Sequence, residues 1–381
     1  MKEQAQSTHT DEDLKHWLAL TFIKDVGPIT TKRLLSALHS PRKILEAGLN
    51  ELKDIEDITE SKAKRIYEFD SWSKVDKEIE AIKNRAIRII KYTDREYPES
   101  LRQIDTSPIL LYAKGRFVKE DKYAIAMVGS RNMTEYGKNI AEIIASELSS
   151  YGLTVVSGMA RGIDTLSHKG ALKAGGRSIA VLGCGLDNPY PPENIELFER
   201  LSVNGCVISE FPLGTPPNKE NFPARNRLIS GLSLGVLVVE ATTNSGSLIT
   251  ANYALEQGKD VFAIPGNITS RNSEGTNTLI KKGAKLVQRV DDILEEIAPQ
   301  LKDLIDSSKI ASGKILSKNI DGLEISDGEK AICNILGSEP KHIDLIAREI
   351  KMQPARLLGL LLGLEIKGIV KQADGKRFYI L

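Results

Sequence analysis

The residues best suited to chemistry in this chain are glycines, serines and arginines that directly follow short apolar runs. Gly129-Ser130-Arg131 follows one run, and another leads into residues 157–164, which contain Arg161. Further runs end in glycine-rich or serine-rich turns at 183–185, 210–212, 240–247 and 265–267. Glycines let backbone amides approach a ligand closely, and helix N-termini behind them attract negative charge. These segments predict a phosphate-binding edge that carries Arg131 and Arg161.

A second cluster, residues 218–227, combines cations with an aromatic ring after a proline-rich loop. It contains Lys219, Phe222, Asn226 and Arg227. A cation for the backbone and an aromatic face for a base are the groups that bind single strands with little sequence preference. The alternative is structural: Phe222 caps the core, and Arg225 and Arg227 pair with carboxylates. For any one of these residues taken alone the structural alternative is favoured, but their coincidence on one edge favours nucleic-acid binding.

Known catalytic patterns do not fit the spacing of these residues. Gly137-Lys138 is followed by Asn139 and lacks the loop glycine of a P-loop, and Gly183-Cys184-Gly185 has only two glycines of a dinucleotide-binding turn. His168 could be a general base, and Glu210 or Glu240 could hold a sugar hydroxyl or a metal. No nucleophile partner or triad accompanies them, so packing is the favoured role for His168. We therefore expect no catalytic residue, no metal site and no cofactor.

The composition indicates a globular chain of two or three domains. Of its 381 residues 41% are hydrophobic and 27% charged, and 52 basic against 51 acidic side chains give a formal charge of +1. That balance excludes a global basic field, so any anion site must be local. Three separated cysteines fit a reducing compartment and give no zinc-ribbon spacing. The N-terminus does not resemble a signal peptide and no apolar stretch could span a bilayer, so we expect a soluble, cytoplasmic protein without membrane contact.

The elements that must position the site alternate between strands and helices. Short β-branched runs lie at 124–128, 154–157, 178–182, 207–209, 236–239, 261–264 and 285–287, and helical segments between them lie at 137–150, 164–173, 195–202, 248–257 and 277–282. Continuous apolar runs are typical of strands buried on both faces. For residues 121–298 the sequence predicts an α/β fold with a doubly wound, Rossmann-like, mostly parallel sheet. Ligands of such a sheet bind outside the carboxyl ends of its strands.

A small helical domain is predicted at residues 1–70. Residues 26–35 resemble a helix-hairpin-helix turn, which offers amides and a cation to a DNA phosphate. Residues 55–66 resemble the same motif more weakly. Acidic residues stand in both turns, namely Asp25, Glu56 and Asp57. They would repel phosphate, so packing or protein interaction is the favoured role and DNA contact the alternative.

The remaining segments are predicted as connections and as a second small domain. Residues 71–120 are a connector with a helix at 75–84 and a strand at 88–92, and residues 299–325 are a polar linker. Residues 326–381 suggest three helices and a two-stranded hairpin, which describes a winged helix. Its third helix is mostly leucine with Arg356 as its early cation, so protein interaction or dimer formation is at least as well supported as DNA binding.

Several of these segments together resemble the DNA processing protein A family, DprA/Smf. The motifs are 127–131, 157–164 with His168, 221–232, 240–251 and 265–267, together with Tyr97-Pro98-x-x-Leu101 and Pro108-x-Leu110-Leu111-Tyr112-x-x-Gly115 upstream. The resemblance covers about residues 90–297. The flanking domains look like the variable helical N-terminus and the winged-helix C-terminus of that family.

The resemblance implies a non-enzymatic homodimer that binds incoming single-stranded DNA and protects it. It also implies that the protein loads the RecA recombinase onto that strand, as a recombination mediator in natural transformation. Arg131, with the amides of Gly129 and Ser130, would hold one phosphate. Lys219 would hold another, and Phe222 would stack on a base. Asn226 and Arg227 match the strand-binding segment of the family.

A rival interpretation from a different class is an enzyme. Rossmann-like phosphoribohydrolases, which release bases from nucleoside monophosphates, are similar in fold and in their phosphate-binding edge. They carry P-G-G-x-G-T-x-x-E, whereas this chain has Thr243-Asn244-Ser245-Gly246-Ser247-Leu248 in the corresponding region. The catalytic arrangement of those enzymes is missing, so single-strand binding is the favoured function.

Overall fold

The computed structural model describes residues 11–301 and 326–380, except Asn334, Ser338, Glu339, Lys351, Lys367, Gly368 and Asp374. The chain divides into two compact units, residues 1–300 and 301–381. The predicted linker at 299–325 falls almost entirely outside the described residues, and so does Asp374 of the predicted C-terminal turn. The predicted domain boundaries at 1–70, 71–120, 121–298 and 326–381 stay predictions.

The first unit is built on a nine-stranded sheet in the described part of the chain. Its strands are β1 (Arg88–Lys91), β2 (Leu110–Gly115), β3 (Ala124–Val128), β4 (Thr154–Ser157), β5 (Ser178–Leu182), β6 (Gly205–Ser209), β7 (Gly235–Val238), β8 (Asp260–Ala263) and β9 (Lys285–Leu286). They lie in the order β1-β2-β6-β5-β4-β3-β7-β8-β9. Strands β3 to β9 pair in parallel, while β1 with β2 and β2 with β6 pair antiparallel. The predicted α/β class and its mostly parallel sheet are confirmed.

Helices precede this sheet and connect its strands. They are α1 (Asp11–Phe22), α2 (Pro28–Leu38), α3 (Pro41–Glu46), α4 (Leu49–Lys53), α5 (Glu60–Tyr67), α6 (Trp72–Asn84), α7 (Glu99–Arg102), α8 (Glu135–Ser150), α9 (Ile163–Lys173), α10 (Ile195–Asn204), α11 (Asn221–Gly231), α12 (Gly246–Glu256), α13 (Arg271–Lys281) and α14 (Val290–Ile297). Short 3₁₀ turns lie at Lys119–Lys122, Pro192–Asn194 and Ala298–Gln300.

Both faces of the sheet are covered. In β5, Ile179 and Val181 belong to the core that also contains Leu228 of α11, whereas Ala180 and Leu182 belong to the core that includes α10 and the N-terminal helices. All five residues of β5 are buried. Burial on both sides explains why the central strands have continuous apolar sequences rather than alternating ones.

Two parts of the first unit differ from the sequence-based expectation. The segment predicted as a connector supplies β1, close to the predicted strand at 88–92, and also β2, and both strands extend the sheet at one edge. The cluster at 218–227, for which the sequence analysis assigned no helix, contributes most of its residues to α11 (Asn221–Gly231), and Arg225, Asn226 and Arg227 are buried in it. A helix is predicted from sequence by apolar residues that recur with a period of 3.6. Because polar residues fill the buried positions of α11, its sequence lacks that pattern.

The N-terminal helices form two hairpins that pair their charges reciprocally. Asp25 and Asp57 occupy equivalent turns with φ of 62° and 64°, a left-handed conformation in which Asp is enriched. Arg33 of α2 binds Asp57 at 2.7 Å, and Arg65 of α5 binds Asp25. Residues 55–66 therefore repeat the structure of residues 26–35, and the aspartate of each turn is paired with the arginine of the other hairpin.

The second unit contains three helices and a small sheet in its described residues. Its elements are α15 (Asp327–Cys333), β10 (Lys341–His342), α16 (Ile343–Glu349), α17 (Pro354–Ile366), β11 (Val370–Ala373) and β12 (Arg377–Ile380). The strand order is β10-β12-β11, and both pairs are antiparallel. Ile332, Ile346, Leu357, Leu361 and Phe378 lie in its core. The predicted winged helix is confirmed, with β10 as a strand that the sequence analysis missed.

Two negative findings apply to the described residues alone. None of their helices is long and apolar enough to cross a membrane. They also contain no group of three His, Cys, Asp or Glu residues that could hold a metal ion.

Candidate nucleic-acid interface

The candidate site lies where the strand order reverses direction. From β3 the chain proceeds to β4, β5 and β6 on one side, then crosses to β7, β8 and β9 on the other side. Loops that follow β3 and β7 diverge at such a switch point and leave a crevice outside the carboxyl ends of the strands. A cavity of about 700 Å³ opens there. Its lining includes Gly129, Ser130, Arg131, Lys219, Phe222, Arg225, Asn226, Thr242, Ser245, Gly246 and Ser247.

The backbone after β3 approaches helix α9 closely, and this approach requires glycine. A Cβ on Gly162 would lie 2.2 Å from the carbonyl oxygen of Ser130, and Gly162 has a φ of 80°. The Ile163 amide donates to that same carbonyl at 3.2 Å. These contacts hold residues 129–131 against the start of α9. The side chain of Arg131 is left exposed at the rim of the cavity.

Arg131 and Phe222 together form a cation beside an aromatic face. The guanidinium carbon of Arg131 lies 5.4 Å from the centre of the Phe222 ring. Phe222 is half-buried and lies against Gly183, where a Cβ would be only 2.9 Å from the ring. Lys219 is exposed and lines the same cavity. The structure thus brings together three of the residues that the sequence singled out on two separate segments.

Arg225 supports this arrangement from beneath. It is 3% exposed, donates to the carbonyl oxygens of Gly158 (2.7 Å) and Val181, and has its guanidinium carbon 5.9 Å from the Phe222 ring centre. Burial lowers the pKa of Arg225 to about 10. Burial raises the pKa of Asp164, and the nearby positive charge of Arg225 opposes that rise. The alternative expected for Arg225, a structural role beside a carboxylate, agrees with this geometry.

The other residues singled out by sequence have different surroundings. Asn226 lines the cavity and is 9% exposed; its Oδ1 accepts from Arg225 at 3.2 Å and its Nδ2 donates to the Gly246 carbonyl at 3.3 Å. Arg227 does not line the cavity. Its guanidinium donates to Glu210 at 2.6 Å and to the Thr106 carbonyl at 2.9 Å, so the carboxylate pairing left open by the sequence is what the structure contains.

Arg161 lies beside the main cavity and forms an exposed ion pair. It donates to Glu193, with one distance of 3.1 Å, and both side chains are 52% exposed. Its guanidinium carbon is 5.7 Å from the ring centre of Tyr190. Arg161, Arg131, Tyr190 and Phe222 also line a small recess next to the cavity. The structure therefore places Arg161 at the edge of the site with its charge compensated.

Sequence reasoning missed several residues of the cavity. Tyr190 and the polar side chains of Asn132, Thr242, Ser245, Ser247 and Asn272 all line it. Most of these side chains lie in segments already assigned to the strand ends. Tyr190, in Asn188-Pro189-Tyr190-Pro191, follows the glycine turn after β5, and that position at a strand end was the available signal.

The candidate general base and acids have structural partners instead. His168 is fully buried, its Nδ1 lies 2.7 Å from the Ser178 hydroxyl, and burial lowers its pKa to about 3. Glu240 accepts from the amide and hydroxyl of Thr134. Among the described residues that line the cavity, the one carboxylate is Asp164, which accepts from the amides of Gly158 and Ala160 at 3.2 and 3.3 Å. These contacts explain why such residues occur at strand ends without forming a triad.

Comparison with known proteins places the chain in a family. The model of the DNA recombination-mediator protein A family matches residues 88–298, a DprA winged helix domain matches 322–376, and a SAM-like helix-hairpin-helix tandem matches 18–69. Protein Smf of Synechocystis is 32% identical over 95% of this chain and 98% of its own length. Protein Smf of Escherichia coli is 40% identical over 73% of this chain and 74% of its own length.

Two solved structures are also similar. DNA processing protein A of Streptococcus pneumoniae has a TM-score of 0.64 and 35% identity, covering 74% of this chain and 97% of that chain. DNA processing protein A of Helicobacter pylori, whose structure describes a single-stranded DNA binding mode, has a TM-score of 0.51 and 29% identity, covering 56% of this chain and 96% of that chain. Because a family model covers more than half of the residues and a relative aligns along nearly the whole chain, this protein belongs to the DNA recombination-mediator protein A family.

Proposed function

We propose that the cavity at the switch point binds single-stranded DNA. The observation that carries this proposal is the position of the Arg131 guanidinium 5.4 Å from the Phe222 ring centre, with Lys219 on the same rim. A cation beside an aromatic ring can hold a phosphate while the ring stacks on the attached base. The related Helicobacter pylori protein, whose structure shows a single-stranded DNA binding mode, supports the same ligand class here.

We infer further that the bound strand is passed to the RecA recombinase during natural transformation, and that the protein acts as a homodimer. The support is membership of a recombination-mediator family and the similarity to DprA proteins of Streptococcus pneumoniae and Bacillus subtilis. A direct test follows filament assembly by RecA on single strands already covered by a single-strand-binding protein. The parent should shorten the lag before assembly, and the Arg131→Ala/Lys219→Ala variant should not.

The rival phosphoribohydrolase interpretation has less support in the geometry. The carboxylate of Asp164 is buried, accepts from the amides of Gly158 and Ala160, and feels the positive charge of Arg225, which suits a structural role. The hydroxyl-rich part of the cavity at Thr242, Ser245 and Ser247 is compatible with a phosphate. A binding role therefore accounts for the groups present without requiring one of them to act as a catalyst.

The main experiment measures the affinity for a labelled oligonucleotide by fluorescence anisotropy, single-stranded and duplex in parallel, at two salt concentrations. Arg131→Ala/Lys219→Ala should reduce single-strand affinity for every sequence and lower the salt slope by about 0.7 for each lost cation. Lys173→Ala/Arg200→Ala is the matched control, because Lys173 is the last residue of α9, Arg200 lies in α10, and both are exposed and do not line the cavity. The control should bind like the parent.

Two outcomes would contradict the proposal. If the Arg131/Lys219 variant binds like the parent, the strand lies elsewhere on the protein. If the parent shows no preference for single strands, the cavity has another ligand, and nucleoside monophosphates would be titrated next with base release as the readout.

A further inference from the structure

We propose that Tyr190 and Phe222 form a two-ring platform that takes two successive bases of the strand and holds them unstacked from each other. This inference rests on the proposed single-strand binding. It assigns to Tyr190 a role in telling single strands from duplexes.

The spacing of the two rings carries the argument. Their centres are 6.1 Å apart and their planes are inclined by 45°. Successive nucleotides of a B-form strand advance by about 3.4 Å. Stacked bases are parallel, whereas two bases that each lie flat on one of these rings are inclined by the same 45° as the rings, so they cannot remain stacked on each other. A duplex keeps its bases stacked and paired, so it cannot use both rings at once.

Each ring of the platform also has its own arginine. The guanidinium carbon of Arg131 lies 5.4 Å from the Phe222 ring centre, and that of Arg161 lies 5.7 Å from the Tyr190 ring centre. The same pair of groups, a cation and a π-face, thus occurs twice along one recess. A nucleotide has one phosphate and one base, so a repeated pair of this kind matches two consecutive nucleotides.

The loop that carries Tyr190 is anchored to the sheet edge. Asn194, 5% exposed, donates from Nδ2 to the Met159 carbonyl at 2.9 Å and to the Thr165 hydroxyl at 2.8 Å. Glu193, in the same 3₁₀ turn, binds Arg161. These contacts fix the turn that follows Tyr190 to the residues after β4, so the ring is held in place before a strand arrives. A preformed platform loses little conformational entropy on binding.

The first test compares Tyr190→Leu and Tyr190→Phe for binding to oligothymidylate. Stacking of one base on an aromatic ring is worth about 1–3 kcal/mol, so Tyr190→Leu should weaken binding by about 5- to 150-fold with an unchanged salt slope. Tyr190→Phe keeps the ring and should bind like the parent. Tyr67→Leu, at an exposed tyrosine of α5, is the matched control and should also bind like the parent.

An oligonucleotide of abasic deoxyribose phosphates separates base stacking from backbone contacts. On this probe the parent and Tyr190→Leu should have equal affinities, because the Tyr190 ring has no base to contact. Equal affinities of the two proteins on oligothymidylate, with Arg131→Ala/Lys219→Ala still defective, would overturn the platform and leave the proposed function standing. Failure of the parent to bind any single strand would overturn the proposed function itself.

A measurement on the unaltered protein keeps the proposal testable if Tyr190→Leu does not fold. A short strand with two adjacent 2-aminopurines shows an exciton couplet in circular dichroism while those bases stack. Saturation with the full chain should abolish the couplet. A couplet that persists in the complex would show that the bases stay stacked and that the platform does not act as proposed.

Discussion

At the scale of single residues, the site differs from a simple row of cations because one of its arginines is already paired. Arg161 shares its charge with Glu193, whereas Arg131 and Lys219 are exposed on the rim of the cavity. An exposed pair of this kind is worth at most about 1 kcal/mol, since solvent screens it. A phosphate can therefore compete with Glu193 for Arg161.

The negative charge of Glu193 should weaken the electrostatic attraction between the site and the phosphates of a single strand. Glu193→Gln is expected to strengthen single-strand affinity at low salt and to steepen the salt slope by about 0.7, because Glu193 then no longer offsets the charge that Arg161 brings to the strand. Anisotropy titrations over a salt series measure both. Glu196→Gln, which removes the same charge from an exposed position nearby, is the control. An unchanged slope for Glu193→Gln would mean that Arg161 does not meet the strand.

His168 should make stability depend on pH in the acid range. Burial depresses its pKa to about 3 in the folded chain, against an ordinary value of 6.5. Between these values the unfolded chain binds a proton that the folded chain does not, so this stability is complete above pH 6.5 and is lost as pH falls towards 3. His168→Gln should be less stable than the parent at pH 7, and this gap in the free energy of unfolding should narrow towards pH 4. Urea unfolding at several pH values measures it; a constant gap would contradict the assignment.

At the scale of elements, the sequence predicted the strands well and one functional helix poorly. Strands β3, β4 and β5 have the predicted bounds, because their runs are mostly apolar and end at, or just before, a glycine or serine. Helix α11 was missed because Arg225, Asn226 and Arg227 are buried by hydrogen bonds and an ion pair rather than by apolar character. The platform ring Tyr190 was missed because its contact with Phe222 joins the loop after β5 to helix α11, which lies farther along the chain.

The helical hairpins provide a prediction at the same scale. Arg33 and Arg65 stand where a helix-hairpin-helix would meet phosphate, but each is paired with the aspartate of the opposite turn. Arg33→Ala/Arg65→Ala should therefore leave single-strand affinity and salt slope unchanged while lowering the melting temperature slightly, since each exposed pair is worth at most about 1 kcal/mol. Anisotropy and thermal unfolding measure the two effects. A shallower slope in this variant would show that the hairpins contact DNA after all.

At the scale of the whole molecule, the near-zero net charge makes the salt dependence of binding informative. With 52 basic and 51 acidic side chains, the chain has no overall field to attract DNA, so the slope should report the local cations alone. For single strands each neutralised phosphate contributes about −0.7 to the slope of log affinity against log salt. Arg131 and Lys219 then predict a slope of about −1.4 for one cavity.

The same quantity tests the proposed homodimer. A strand too short to reach a second cavity should give a slope of about −1.4, and a strand long enough to reach both cavities of a dimer should give about −2.8. Lys173→Ala/Arg200→Ala should change neither slope, because these cations of α9 and α10 do not line the cavity. Sedimentation of the two complexes would report how many chains each strand holds. Equal slopes on both strands would mean that a single cavity binds the strand even when the protein is a dimer. A slope much steeper than −1.4 on the short strand would mean that cations outside the cavity also bind it.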